Sequence, residues 1–297
     1  FLELKNLGVM FIENLPSERK ETQKLIKYKE LSFRSLIPFT KTRREIKDFL
    51  KTCDFILIKN EIPEMIFFRL LGKDLFKKSV LLIFTSLKYQ NNNFRAKIHN
   101  FFYGGWFYKK LMSSYRAVVV SNKYEQNLIP KIFNYPTNQI YYIPYGLDNS
   151  KLAPPALNYN QRFVILFVGR MEEQKGIDFL PLLWRSLSSE NDFENMQLII
   201  AGEGPKKGIA QNLAKKYRNV KYEGFVKPGK MPELYGKGDL TIILSRWETF
   251  SYACLEAQAH GLPVIAFNIP GPQDIINDKI TGRLIKLGNL KDFLLHS

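Results

Sequence analysis

Short apolar runs recur along the chain, and few of them alternate with polar positions. Such runs predict strands of a parallel sheet covered on both faces, where neither side of a strand meets water. In the first half they are Val9 to Ile12, 54–58 (Asp-Phe-Ile-Leu-Ile), 80–84 (Val-Leu-Leu-Ile-Phe), 117–120 (Ala-Val-Val-Val) and Tyr141-Tyr142-Ile143. Helical spacing fills the intervals. A helix over 41–52 carries Ile46, Phe49 and Leu50 on one face, and a helix over 63–71 has Pro63 in its first turn, where proline is tolerated. A longer helical region covers 94–115, and another helix starts at Asn122. The rhythm pauses over 147–161, where Ala153-Pro154-Pro155, Asn158 and Asn160 read as a linker. It restarts with strands at 162–168, 197–201, 220–222, 240–244 and 263–267.

The pattern predicts an α/β protein of two doubly wound domains facing across a cleft, the first over 1–147 and the second over 148–297. Phe1 to Leu7 reads as the end of a helix stopped by Gly8. Leu290 to Ser297 reads as a helix begun but not capped. The expectation is therefore that the first domain's opening strand and loop precede Phe1, and that the last helix continues past Ser297.

Charge adds an asymmetry. Residues 1–150 carry 25 Lys and Arg against 13 Asp and Glu, whereas 151–297 carry 19 against 15. A basic first half suits anionic membrane, nucleic acid or an anionic substrate, and equally a solubilising surface. Phe101-Phe102-Tyr103-Gly104-Gly105-Trp106-Phe107-Tyr108-Lys109-Lys110 crowds aromatics beside lysines. Side chains of that kind favour a membrane–water interface, although packing in a core would also use the rings. No nucleic-acid motif accompanies them. Cys53 and Cys254 both lie in apolar segments, which predicts buried free thiols in a reducing compartment. No apolar run approaches the ~20 residues of a membrane span.

The candidate chemistry sits at strand ends of the second half. After 162–168 comes Gly169-Arg170-Met171-Glu172-Glu173-Gln174-Lys175-Gly176. Arg170 and Lys175 suit a diphosphate, one as a fork and one as a point charge, but they are also placed to pair with Glu172 and Glu173. Ala201-Gly202-Glu203-Gly204-Pro205 is a tight turn into a helix, and Gly224-Phe225-Val226 ends a strand where a base has room to lie, unless Phe225 is core. After 240–244 comes Ser245-Arg246-Trp247-Glu248-Thr249-Phe250-Ser251, with a helix from about Ser251 that stops at Gly261. Glu248 stands where open α/β sheets bind ligands, and Glu256 lies in a mostly apolar helix, where a carboxylate needs a partner. The helix start between them offers free N–H groups to phosphate. Two hydroxyl-binding carboxylates around a phosphate site suggest a nucleotide-sugar.

In their order and spacing these signals resemble the second domain of the retaining family 4 glycosyltransferases of the GT-B fold. The match runs from about Phe163 to Leu287, through Val168-Gly169-Arg170, Gln174-Lys175-Gly176, the two glycine turns, the glutamate pair and Gly261-Leu262-Pro263-Val264. The resemblance implies that Arg170 and Lys175, beside Gly169, hold the donor diphosphate. It implies Glu248 on the donor sugar, Glu256 on the ribose, and backbone N–H groups around Thr249, Phe250 and Ser251 on sugar and phosphate. The base falls at Gly224-Phe225-Val226. Glu248, Arg170 and Lys175 are thus the expected catalytic group, with no metal or other cofactor, since no Asp-x-Asp motif occurs. Where the family usually has glycine, this chain has Thr249 and Ser251, and the later turn reads Pro270-Gly271-Pro272-Gln273-Asp274.

The resemblance is weaker in the first half, through Val118-Val119-Val120-Ser121 and Ile143-Pro144-Tyr145-Gly146. The family often has a histidine after the strand at 80–84. Here Thr85-Ser86-Leu87 follows it, and His99 comes later. The reading is a hexosyl transfer from a UDP- or GDP-sugar to a polyprenol-linked, lipid or glycan acceptor, on the cytoplasmic side and in peripheral contact with membrane. A non-catalytic nucleotide-sugar-binding subunit and a sugar-nucleotide epimerase remain the rival readings.

Overall fold

A computed structural model of the chain describes residues 44, 47, 48, 50–89, 94–147 and 162–294. The elements expected over 1–12, the linker over 148–161 and the last residues lie outside that range, as do Ile46 and Phe49 of the helix at 41–52, whose Leu50 is buried. The chain divides into two compact units. Among the described residues, one holds the chain up to Thr85 with Phe101–Val119 and Ile129–Tyr141. The other holds Ser86–Asn100, Val120–Leu128 and the chain from Tyr142 onward.

The first sheet has the order β1-β2-β3-β4, formed by Ile56–Lys59, Ser79–Leu82, Ala117–Val120 and Ile140–Tyr142. The β1–β2 and β2–β3 pairings are parallel. Helix α1 (Ile62–Leu71) joins β1 to β2 through a 3-10 turn at Lys73–Lys78, and buries Met65, Phe68 and Leu71. Asn60 ties the end of β1 to the loop after β2, donating from Nδ2 to the Thr85 carbonyl (2.7 Å) and accepting at Oδ1 from the Phe84 and Thr85 N–H groups (2.8 and 2.9 Å). That set satisfies a fully buried amide. The expected helical region over 94–115 is two helices, α2 (Phe94–Gly104) and α3 (Trp106–Met112), because Gly105 is extended and breaks the ladder. Helix α4 (Lys123–Phe133) leads to β4.

The second sheet has the order β10-β9-β8-β5-β6-β7. Its strands are β5 (Phe163–Val168), β6 (Met196–Ala201), β7 (Val220–Gly224), β8 (Leu240–Ile243), β9 (Val264–Phe267) and β10 (Gly282–Ile285), and neighbouring strands are parallel throughout. The chain winds outward from β5 to β7, returns to β8 beside β5, and winds outward the other way. Alternate residues of β5 enter opposite cores. Ile165 and Phe167 pack with Leu183, Trp184 and Leu187 of α5 (Leu180–Leu187) and Leu213 of α6 (Lys207–Lys216). Val164 and Leu166 pack with Leu234 of α7 (Met231–Tyr235) and with Cys254 and Ala257 of α8 (Tyr252–Ala259). Burial on both faces is the reason these strands show no polar alternation. Two short helices, α9 (Pro272–Ile275) and α10 (Leu290–Leu294), complete the unit.

The turn after β6 touches the turn after β5. Gly202 has φ +133°, and a Cβ built on it would come within 1.8 Å of the Gly169 carbonyl oxygen. Both the conformation and the contact demand glycine. Gly202→Ala is expected to destabilise the protein by at least ~2 kcal/mol, read as a lower urea midpoint with an unchanged slope.

Candidate functional site

The strand order reverses between β5 and β8, and the loops at their carboxyl ends border the position where open α/β sheets take ligands. The loop after β5 carries Arg170 and Lys175, and the loop after β8 carries Glu248. The structure joins them. Lys175 Nζ lies 2.5 Å from Glu248 Oε1, which also accepts from Ser245 Oγ at 2.8 Å. Glu248 is 5% exposed, so its charge needs these partners. Its Oε2 has no hydrogen bond among the described residues. Arg170 is directed differently. Its guanidinium is exposed and pairs with Glu172 at 3.0 Å, one of the two partners that its sequence neighbours offered.

Arg246 was not singled out in the sequence, yet it fastens the two loops together. It grips Asp178 with both terminal nitrogens (2.9 and 2.6 Å), donates to the Glu173 carbonyl (2.5 Å) and lies 4.1 Å above the Phe179 ring. Burial alone would push the Asp178 carboxyl up, but the Arg246 hydrogen bonds and charge outweigh it and hold the group below its ordinary value. The Arg246 N–H also donates to the Gln174 carbonyl (2.8 Å), and Gln174 Nε2 donates to the Trp247 carbonyl (3.1 Å). Lys175 is therefore anchored on both sides. No motif announces this arrangement, because Arg246 and Asp178 are 68 positions apart.

Ser251 caps the start of helix α8, and its carbonyl accepts the Leu255 N–H (3.1 Å), leaving the first-turn N–H groups without intrahelical acceptors. Glu256 lies on its second turn. Its Oε2 accepts the Tyr235 hydroxyl (3.0 Å), and Oε1 has no hydrogen bond among the described residues. Burial, then the Glu256 charge, raises the Tyr235 phenol well above its ordinary value, so it stays a donor. Phe250 is buried edge-on against Tyr145 (5.1 Å between centroids). The Thr249 carbonyl accepts from Ser121 Oγ (3.2 Å) and Asn122 Nδ2 (2.9 Å), all within the second unit. Gly271, at φ +92°, closes over this loop, and an added Cβ would lie 3.2 Å from Glu248 Cβ and from Phe250 Cα. Gly224 ends β7 at φ +66°, with Phe225 67% exposed and Val226 half-buried against the core. Phe225 is thus a surface ring, and the core alternative does not hold. Neither Cys53 nor Cys254 is in a disulfide; Cys254 is buried as expected and Cys53 only half-buried, and burial followed by the Glu248 charge pushes the Cys254 thiol up to about 12.

Residues from the basic half also gather here. His99 donates from Nε2 to the Ser86 carbonyl (2.5 Å) and stacks on Tyr89 (3.9 Å). Glu125 is fully buried. Its Oε1 accepts from Ser86 Oγ (3.1 Å) and the Leu87 N–H (3.0 Å), and Oε2 has no partner among the described residues. Burial lifts its carboxyl from the ordinary 4.5 to about 7, against the pull of those two hydrogen bonds.

Two outcomes follow. Arg246→Ala should cost about 1–3 kcal/mol in chemical denaturation, with Arg246→Lys recovering only part, since lysine cannot reproduce the fork. Glu125 is a carboxyl with a raised value, so its contribution to stability is full below about pH 4.5 and is lost as pH rises to about 7. Relative to Glu125→Gln, the native protein should therefore lose about 3 kcal/mol between pH 4 and pH 8, measured as the difference between the two stability–pH curves.

Comparison with known proteins gives the family and the fold. A profile described as glycosyl transferases group 1 matches residues 149–295. The GDP-mannose-dependent alpha-mannosyltransferase of Corynebacterium glutamicum is 28% identical over 175 residues, 56% of this chain and 40% of that protein. The UDP-Gal:alpha-D-GlcNAc-diphosphoundecaprenol alpha-1,3-galactosyltransferase of Escherichia coli is 26% identical over 195 residues, 60% of this chain and 49% of that protein. The sucrose-phosphate synthase of Thermosynechococcus elongatus superimposes with a TM-score of 0.69 at 20% identity, over 86% of this chain and 67% of that one. The chain spans between a third and a half of the length of several curated relatives it matches. It has the GT-B fold, and its residues 149–295 belong to the glycosyl transferases group 1 family.

Proposed function

We propose that the chain is a retaining, metal-independent glycosyltransferase that moves a hexose-type sugar from a UDP- or GDP-linked donor to a lipid-linked or envelope-glycan acceptor. One observation carries the reading. At the switch point of the second sheet, Glu248 and Glu256 flank the start of α8, and each has one oxygen held by the protein and one without a hydrogen bond among the described residues. That is the provision two sets of hydroxyls on either side of a diphosphate require. Residues 148–297 are the donor-binding domain in this reading. Lys175, Arg170 and the α8 N–H groups offset the charge that develops on the departing diphosphate. Gly169 gives the diphosphate access to the backbone, and Gly224, Phe225 and Val226 receive the base. Glu248 takes the sugar hydroxyls, Glu256 the ribose, and Thr249, Phe250 and Ser251 the sugar and phosphate through the backbone. For Arg170 this role requires release from Glu172.

Transfer breaks the bond between the sugar C1 and the diphosphate oxygen and forms a C1 bond to the acceptor oxygen on the same face. The acceptor proton passes to a donor phosphate oxygen, so no side-chain nucleophile takes part. The two relatives are named for GDP-mannose and UDP-galactose donors, and both nucleotides stand as candidates here.

The exposed rings of α2 and α3 support work at the inner membrane face. Phe101 and Trp106 are 75% and 73% exposed, and Phe102 and Phe107 are exposed beside them, with Lys110 5.0 Å over the Trp106 ring. Tyr103 and Tyr108 of the same segment are buried, so core packing accounts for only part of it. Among the described residues no helix is long and apolar enough to cross a membrane, and the proposal is for contact with its surface.

Isothermal titration with UDP and GDP tests the donor site. One of them should bind, and Glu256→Ala should weaken it at least ~10-fold, the loss of charge-assisted hydrogen bonds to ribose. Absence of binding by both, or binding indifferent to Glu256→Ala, would sink the proposal. Binding with no transfer to any lipid-linked or glycan acceptor would favour a non-catalytic subunit.

A further inference from the structure

At the amino ends of β2, β3 and β4, the edge opposite to their carboxyl ends, the first unit has a pocket of about 650 Å³. Four cations line it: Arg69 from the last turn of α1, Lys73 and Lys77 from the 3-10 turn before β2, and Arg116 immediately before β3. No carboxylate lines it. The nearby Asp74 lies 3.7 Å from Lys47, and none of the four cations has an ion-pair partner among the described residues.

The ordinary use of cations at helix ends explains part of this. Arg69 and Lys77 offset the negative poles of the turns they close. That role needs no gathering of four charges around one cavity, and like charges held together without counter-charge disfavour one another. The pocket is also built rather than incidental. Its floor is aromatic and interlocked, with Phe76 edge-on to Tyr115 (5.0 Å) and to Phe68 (5.2 Å). Arg69 is held in place by donating to Ser114 Oγ (3.0 Å), and its other N–H groups have no acceptor among the described residues. The Arg116 N–H is fixed on the Ser79 carbonyl (3.0 Å), which sets that residue at the rim.

We infer that this pocket binds a phosphoryl or diphosphoryl group, at a site separate from the proposed donor site. A tetrahedral anion gives several oxygens to a guanidinium fork and two ammonium groups at once, which a carboxylate cannot. The group arrives either on a soluble molecule or as the headgroup of an anionic lipid. The inference does not depend on the donor reading.

Inorganic pyrophosphate, titrated calorimetrically at low salt, is the first probe, and vesicles containing phosphatidylglycerol are the second. Lys73→Ala/Lys77→Ala/Arg116→Ala removes the exposed cations, and Lys207→Ala/Lys215→Ala/Lys216→Ala on α6 removes the same charge elsewhere. The pocket variant should weaken binding of at least one probe ~10-fold or more, with the α6 variant within ~2-fold of the native protein. Loss confined to pyrophosphate identifies a soluble ligand, and loss confined to vesicles identifies a headgroup. Lys175→Ala should leave the pocket-dependent binding in place, which separates this site from the donor site whether or not nucleotides bind. No binding of either probe by the native protein, or equal loss in the two triple variants, would overturn the inference.

Discussion

The Lys175–Glu248 ion pair spans the point where the second sheet changes direction, and the site's geometry depends on it. Two loops that are distant in sequence end at neighbouring strands, and side chains hold them in register together with the bond from the Arg246 N–H to the Gln174 carbonyl. A buried carboxylate at that position is costly without a cation, so the pair fixes both loops at once. Arg246 repeats the principle one layer out with Asp178 and the Phe179 ring. The result is a rigid support whose inner cation and carboxylate both keep capacity for a ligand. Glu256 is prepared in the same way by Tyr235, with one oxygen committed and the other not.

The fold was legible because its physics is local. The strands of the second sheet are apolar on both sides, and the structure places alternate residues of β5 in separate cores. Boundaries moved where a backbone requirement outweighed composition, as at Gly105, which splits the helical region over 94–115 although apolar spacing continues across it. The glutamate pair and Lys175 were readable because each follows a strand directly. Their connection was not, because strand adjacency decides it, and periodicity does not report which strand lies beside which. Arg246, Glu125 and Asn60 escaped for the same reason: their roles are hydrogen bonds to residues 24 to 73 positions away, formed only once the sheets exist.

Aromatic residues were the hardest to assign, since a ring suits a core and an interface alike. The segment 101–112 uses its rings both ways, with Tyr103 and Tyr108 inward and Phe101 and Trp106 outward. Helical phase decides between them, and the break at Gly105 resets that phase midway. Phe225 suited a core and a base-binding surface alike, and it lies exposed because it follows a glycine in the left-handed region that turns the chain out from the sheet.

The pinned Thr249 carbonyl has a directional consequence. In a trans peptide the carbonyl and the following N–H point to opposite sides. With the oxygen engaged by Ser121 and Asn122, the Phe250 N–H is turned away from them, and it cannot be redirected without breaking two hydrogen bonds. The amide is therefore a donor of fixed aim before any ligand arrives. An anion entering from that side meets an oriented dipole rather than one it must first rotate, so the reorganisation that water would need for the same task is already complete.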